Sequence, residues 1–473
     1  MNSNKQKILS KIPQIDQILN HPQLQPFIDK FSHDFILCCV QHETRRLRER
    51  LLSESISNGL SRPGILDEIV EKSVEYINQK LQPSLKKAIN ATGIILHTGL
   101  GRAPLMEEAR DNLMQITEGY CTLEIDLESG KRGERIEHIE KLLGNLTGAE
   151  AACVVNNNAA AVLLTLNTLC FGKEAIISRG QLIEIGGSFR IPEVIEKSGT
   201  KMIEVGTTNK THLHDYERVI SENTRLLFAV HPSNYRVKGF TKEVKINDLV
   251  DLGKKYNLAV AQDLGGGVLV DLRKYKLPYE PVVRDSIEAG VDVVTFSGDK
   301  VLGGPQSGII VGRKKYLDAI KSNPLMRALR CGKLTYAILE PTLKLYLREK
   351  EFIKHNRVLN MLLEPLDSLE KRVEKIKKKI TDDIKSNCEI NFEDTTVQIG
   401  SGALPLEELP SIAITLRMAN VPTEILAKKF RLHEPPIFGY IRENRLFFDI
   451  RTVFKKDEKL LISAMQKIIG NNC

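Results

Sequence analysis

The chain of 473 residues contains no tryptophan, and aromatic residues make up 5% of it. That scarcity bears on no function. Other absences exclude more. None of the eight cysteines forms a CxxC pair, and no Cys/His set has zinc-ligand spacing, so neither a redox dithiol nor a zinc module is expected. No stretch approaches the roughly 18 uninterrupted apolar residues of a membrane span. The opening MNSNKQKILSKIPQ lacks the apolar segment of a signal peptide. There is no internal repeat and no low-complexity tract. The expectation is a protein of a reducing cytoplasm with no membrane association, several of its thiols reduced and buried.

What is present is an ordinary globular composition, 42% hydrophobic and 27% charged. The length exceeds what one core normally organises, so two or three domains are expected. A formal net charge of +8 permits a polyanionic partner without requiring one. Residues 1–75 read as a helical domain, through QIDQIL, LQPFIDKF and DFILCCVQHETRRLRERLLS, with Pro13, Pro22, Pro26 and Arg62-Pro63-Gly64 as punctuation. Residues 76–89 read as a linker. Over 90–340, β-branched runs (AACVV, EAIIS, KMIEV, RLLFAV, LAVAQ, VDVVTF, GIIVG) alternate with helical periodicity such as Ile139, Leu142, Leu143 and Leu146. That alternation predicts an α/β domain around a mainly parallel sheet. Residues 341–473 read as a smaller α+β domain.

Chemistry concentrates at predicted strand ends. In VDVVTFSGDKVLGGPQSGIIVG a strand runs into Ser297-Gly298-Asp299-Lys300 and a Gly-Gly-Pro turn. A lysine at the end of a buried strand loses its proton readily, because low dielectric disfavours the ammonium, and a neutral amine is what attack on an aldehyde requires. The small Ser297-Gly298 pair lets the backbone approach a phosphate or ring. Asp263 ends LAVAQ and precedes three glycines; a carboxylate there can pair with a protonated ring nitrogen. Asn156-Asn157-Asn158 joins AACVV to a helix whose first amides suit a phosphate. Within HPSN, Asn234 or His231 is placed to reach a ring hydroxyl. Each element has a plainer reading, as a turn lysine, a helix cap or an N-cap. Their order, each at a strand end, is more specific than any one of them.

That order resembles the fold-type-I pyridoxal-phosphate (aspartate-aminotransferase-like) enzymes. The wording of INATGIILHTGLGRAPL, GSFRIPEV, GTTNKTHLHDY, FSGDKVLGGPQSGIIVG, RALRCGKL and FDIRTV, together with the N-terminal KIPQIDQILNHP, resembles bacterial selenocysteine synthases, the L-seryl-tRNA(Sec) selenium transferases. The resemblance covers nearly the whole chain. It implies pyridoxal 5′-phosphate on Lys300, β-elimination from seryl-tRNA(Sec) to aminoacrylyl-tRNA, and selenium addition from selenophosphate. It further implies that Asp299 orients or tunes the lysine, and that Arg102, Arg327 and Arg330 line the selenium-donor site. Guanidinium forks suit such a compact multivalent anion, and Arg327 and Arg330, at i and i+3, are expected to share a helix face. The family also implies a homo-oligomer, a decamer of five dimers, and an N-terminal domain that holds the tRNA.

Arg45, Arg46, Arg48 and Arg50 cluster in one helical stretch of that N-terminal region and are candidates for the RNA backbone, although such runs are ordinarily solvated faces. The basic run Lys371–Lys379 reads as a solvated helix. Arg451, in FDIRTV, resembles the carboxylate-binding arginine of aminotransferases, and its role is left open. Departures from the family pattern are Cys121 and Thr122 before LEIDLESGKRG, HPSN where HTSN is usual, and His433 and Tyr440 in RLHEPPIFGYI. Two other readings compete: a fold-type-I lyase or ammonia-lyase of a small amino acid, and a non-catalytic RNA-binding protein. The helical N-terminal region speaks against the first, and the intact Lys300 and Asp263 against the second.

Overall fold

The computed structural model describes residues 9–53, 61–185, 189–233, 235, 237–348, 351–400 and 408–470. The chain forms two compact units, divided between Lys87 and Ala88.

In the first unit, two long helices, α1 (His33–Ser53) and α2 (Arg62–Leu81), follow two shorter ones at Ile15–Leu19 and Gln25–Ile28. Ser61 caps α2 by accepting from the Gly64 amide at 3.2 Å, and Pro63 stands in the first turn, where no donor is needed. Apolar residues at helical spacing seal the two helices together: Ile36, Val40, Leu47 and Leu51 from α1, and Ile65, Ile69, Val70 and Ile77 from α2. The expected break at residue 75 is therefore displaced. α2 runs on to Leu81, and Ile77 is fully buried in this core.

The second unit holds a seven-stranded sheet of β1 (Ala151–Val155), β2 (Glu174–Ser178), β3 (Lys201–Val205), β4 (Thr224–Val230), β5 (Ala259–Gly265), β6 (Val293–Ser297) and β7 (Gly308–Gly312). Their order is β1-β7-β6-β5-β4-β2-β3. The run from β6 to β3 is parallel, and β7 lies antiparallel to both β1 and β6. Parallel neighbours need a crossover helix, whereas residues 298–307 make only a turn, so β7 can return only antiparallel. Alternate residues serve opposite faces. Ala152, Val154 and Ile176 enter one core, while Ala151, Cys153, Val155, Ala175 and Ile177 enter the other.

A second sheet is antiparallel, ordered β8 (Glu389–Gln398), β9 (Glu408–Arg417), β11 (Arg445–Asp449), β10 (Tyr440–Arg442). Helices contribute Leu369, Val373, Leu426, Phe430, Leu461 and Met465 to its core. The expected boundary at 340/341 falls inside helix α3 (Lys333–Leu345), and Leu343, Tyr346, Phe352, Leu359 and Leu362 still pack into the core of the large sheet. At the other end, Ile89–Asn90 pairs with Ile437–Phe438, so the end of the expected linker belongs beside the small sheet. Among the described residues no helix is long and apolar enough to cross a membrane, no metal-binding cluster occurs, and the seven described cysteines are free thiols.

Candidate active site

Lys300 stands just past the end of β6 and is 5% exposed. The turn beneath it is tied by Gly298 donating to the Ser307 carbonyl, Gly303 to that of Lys300 and Gly304 to that of Gly298, each at 2.9 Å. A side chain at Gly298 would place its Cβ 2.2 Å from Ser307 Oγ and 2.8 Å from the Pro305 carbonyl oxygen, so glycine is a packing requirement there. Burial pulls the Lys300 ammonium below the ordinary lysine range; Asp263 opposes this and the nearby Arg102 adds to it.

Asp263 faces it from β5. One carboxylate oxygen accepts from Asn158 Nδ2 (2.8 Å), the Gly265 amide (3.1 Å) and Thr295 Oγ1 (3.1 Å). Burial raises its affinity for a proton, against those donors and Lys300. Both departures favour an uncharged amine at Lys300. The sequence did not single out Thr295, nor Ser233 and Glu280. His231 Nδ1 lies 3.9 Å from Glu280 Oε1, and the field of Glu280 reaches Lys300.

The space above these groups has the character of a cofactor cradle. Ser233 Oγ and Asn158 Oδ1 are buried with no hydrogen-bond partner among the described residues. At Gly265 (φ +63°) a Cβ would sit 3.2 Å from Ser233 Oγ and 3.7 Å from Lys300 Nζ, filling the gap between them. The three asparagines divide their work. Asn156 is exposed, and its amide donates to the Leu329 carbonyl at 3.0 Å. The Asn157 side chain caps helix α4 (Asn158–Cys170; it precedes α3 in the chain) by accepting from Ala160 N at 2.9 Å. Asn158 reaches Asp263. The opening of α4 thus lies beside the ring site, where its first amides suit an anion. Ser297 is buried at the end of β6. Asn234 lies outside the described residues. A flat ring with an aldehyde, a ring nitrogen and a phosphate fits this donor set.

Arg102 arrives on the loop His97–Arg102, in a left-handed conformation (φ 60°), its amide donating to the His97 carbonyl at 3.0 Å. Its guanidinium Nη1 donates to Asp299 Oδ2 at 2.8 Å, and Ala103 N donates to the Asp299 carbonyl at 3.3 Å. The shared helix face expected of Arg327 and Arg330 does not form. Arg327 lies exposed on the short helix Leu325–Leu329, which ends before Arg330; that residue is extended (φ −65°, ψ 145°). Arg330 bridges to Val155, Val155 pairs with Gly308, and Gly308 with Ser297. Three lateral steps of about 4.8 Å set its Cα on the order of 14 Å from that of Ser297. Its guanidinium stands 3.5 Å from Glu124, with Arg135, Arg327 and Arg132 near enough to bear on its charge.

In the first unit, Arg46 pairs with Glu43 at 3.2 Å and Arg50 with Glu68 at 2.5 Å, while exposed Arg45 and Arg48 make no ion pair among the described residues. Arg451 is 3% exposed and does not serve as a free carboxylate ligand: its guanidinium donates to the carbonyls of Met361 (3.0 Å), Glu364 (2.7 Å) and Pro410 (3.1 Å). Of the departures from the family pattern, Cys121 is half-buried, His433 Nδ1 lies 3.1 Å from the Pro435 carbonyl, and Tyr440 stacks on Phe447.

A buried lysine after β6, a carboxylate on β5 and a helix start after β1, on a sheet of this order, define a fold-type-I pyridoxal-phosphate-dependent enzyme. The sequence profile of the L-seryl-tRNA selenium transferases matches residues 88–454, and that of the selenocysteine synthase N terminus matches residues 9–48. Two L-seryl-tRNA(Sec) selenium transferases illustrate the relationship. One from Clostridium botulinum (strain Okra) is 44% identical over 469 residues, covering 98% of this chain and 100% of the relative. Another from Alkaliphilus oremlandii is 42% identical over 466 residues, with the same coverages. The chain belongs to the L-seryl-tRNA selenium transferase family. A solved D-glucosaminate-6-phosphate ammonia-lyase superposes with a TM-score of 0.56 at 20% identity, covering 84% of this chain and 98% of that one, a likeness of fold alone.

Proposed function

We propose that this protein converts L-seryl-tRNA(Sec) to L-selenocysteinyl-tRNA(Sec), with selenophosphate as selenium donor. The observation that carries the reading is the similarity to the transferases along 98% of the chain, helical N-terminal unit included. A lyase of small amino acids has no use for that unit. Bound pyridoxal phosphate supplies an electron sink for negative charge at the substrate Cα.

The chain's residues do the rest. Lys300, whose hold on a proton burial weakens, would carry the cofactor and then take the Cα proton. Asp263 pairs with the ring nitrogen. Ser297, Asn158 and the backbone at Asn157 would hold the phosphate side, with Asn234 or His231 toward the ring hydroxyl, the Asn156 amide being committed to the Leu329 carbonyl. Asp299 orients Arg102, whose guanidinium, with Arg327 and Arg330, receives the donor anion. Arg330's distance from Ser297 suits a site completed by a second copy, and the assembly is a homo-oligomer, a decamer as the family implies. In the N-terminal unit the unpaired Arg45 and Arg48 contact RNA phosphates, while Arg46 and Arg50 brace α1. The reaction belongs to the cytoplasm.

The test is a single-turnover reaction of purified holoenzyme with seryl-tRNA(Sec) and selenophosphate, read by product analysis, beside a parallel reaction with free serine. Selenocysteinyl-tRNA from the first alone is expected. Pyruvate and ammonia from free serine, with the aminoacyl-tRNA untouched, overturn the reading in favour of the lyase.

A further inference from the structure

Beside Arg330 the chain builds a cavity of about 260 Å³, lined by Glu124, Arg132, Arg135, Cys153, Met326 and Tyr336 among others. Its organiser is one carboxylate. Glu124 Oε1 accepts from Arg135 Nε at 2.6 Å and stands 3.5 Å from Arg330 Nη1, while Oε2 accepts from Arg132 Nη2 at 2.6 Å. The arginines hold the Glu124 carboxyl below the ordinary range. Arg135 is anchored a second time, donating from Nη1 to the Cys331 carbonyl at 2.6 Å.

The charge does not balance. Lys321, also on the wall, is neutralised by Glu140 at 2.6 Å, and Glu134 is exposed at the rim. That leaves three guanidinium groups around one inward carboxylate, with Arg327 close enough to be felt. Desolvation and the neighbouring Arg135, Arg327 and Arg132 all work against the charge on Arg330. Beyond its long contact with Glu124, the Arg330 guanidinium has no acceptor among the described residues. Cations gathered around too little negative charge, with unused forked donors facing a cavity, form a receptor for an oxyanion.

We infer that Arg135 and Arg132, held in place by Glu124, join Arg330 in binding a tetrahedral oxyanion of the phosphate type. The inference deepens the proposed transferase reading by naming residues for its anion. Two sources offer that chemistry, a free phosphate-like donor and a phosphodiester of the RNA.

Full-length holoenzyme, saturated with pyridoxal phosphate, is titrated calorimetrically with inorganic phosphate, and its affinity for seryl-tRNA(Sec) is measured by filter binding. Arg135→Gln is expected to weaken phosphate about tenfold, as for a lost charge-assisted pair, with Arg135→Lys between it and wild type. Should Arg135→Gln not fold, the rim variant Arg132→Gln, at a side chain 73% exposed, carries the test with an expected loss of about threefold. Weakened phosphate with unchanged tRNA binding assigns the cavity to the donor; weakened tRNA binding alone assigns it to the phosphodiester. Unchanged affinity for both ligands overturns the inference. Because phosphate binding is read without turnover, a protein that binds phosphate here yet makes no selenocysteinyl-tRNA sinks the transferase reading and leaves the cavity standing.

Discussion

The Arg102 guanidinium grips the Asp299 carboxylate at 2.8 Å, one residue before the lysine. The two act on Lys300 in opposite senses, Arg102 lowering and Asp299 raising its hold on a proton. Paired, they largely cancel, and burial is left to set the state of the amine. Arg102→Gln therefore moves the deprotonation of Lys300 to higher pH, and Asp299→Asn moves it to lower pH. The check is the rate at which apoenzyme captures pyridoxal phosphate, followed by absorbance between pH 6 and 9. Identical profiles for both variants and wild type would remove the pair from any role in tuning the lysine.

Asp263→Asn keeps the shape of the site and removes the charge proposed to pair with the ring nitrogen. Cofactor binding is expected to persist, while single-turnover conversion falls about a hundredfold, the scale of one preorganised electrostatic contact. A loss of conversion that merely parallels loss of cofactor absorbance would reduce Asp263 to an anchor.

Asp449 carries a pH dependence of stability. It is buried; Oδ1 accepts from Ser411 Oγ at 2.7 Å and from the Arg451 amide at 3.0 Å, and Oδ2 has no partner among the described residues. Burial pushes its carboxyl up to about 6 from 3.8. A raised folded value means that its contribution is fully present below the unfolded value and is lost as pH rises toward 6. Asp449→Asn, which mimics the protonated form, should raise Tm relative to wild type at pH 8, with the gap closing as pH falls toward 4. A gap that does not change with pH would place the effect elsewhere.

The arginines of α1 should separate into two pairs. Arg45→Gln with Arg48→Gln is expected to weaken tRNA binding and lower the slope of log affinity against log salt by roughly 1 per contact, leaving Tm unchanged. Arg46→Gln with Arg50→Gln, which breaks the Glu43 and Glu68 pairs, should touch Tm more than affinity. Melting curves and filter binding across a salt series distinguish the pairs.

Gly308 opens β7 where a Cβ would stand 2.1 Å from the Asn157 carbonyl oxygen. Gly308→Ala has to displace backbone at the start of α4. It should cost about 1–3 kcal/mol, seen as a lower Tm, and weaken the hold on pyridoxal phosphate as well.

The strands were legible because each is a short β-branched run bounded by turn residues; EAIIS, KMIEV and GIIVG match β2, β3 and β7 residue for residue. Lys300 and Asp263 were legible because strand ends converge at one edge of such a sheet. Arg135 was not. Its partners Glu124 and Cys331 lie 11 and 196 residues away, and nothing local in ESGKRGER marks one arginine over another. The helix face imagined for Arg327 and Arg330 failed for a related reason: the chain leaves the helix at Leu329 to lie along β1, a pairing set by the sheet and invisible to helical periodicity. Continuation of α2 past residue 75 was hidden by its polar surface, YINQKLQ, in which Ile77 is buried in the core and Tyr76 packs against it.

The arrest of Arg451 among main-chain carbonyls has a bearing on selectivity. A free amino acid brings an α-carboxylate in need of a cationic handhold, and the arginine that resembles that handhold in aminotransferases is here locked into the scaffold. An acyl group esterified to a ribose brings no such charge and forgoes nothing. Free serine, the ordinary metabolite, is thereby disadvantaged before any chemistry begins, and discrimination starts with a hand the enzyme declines to offer.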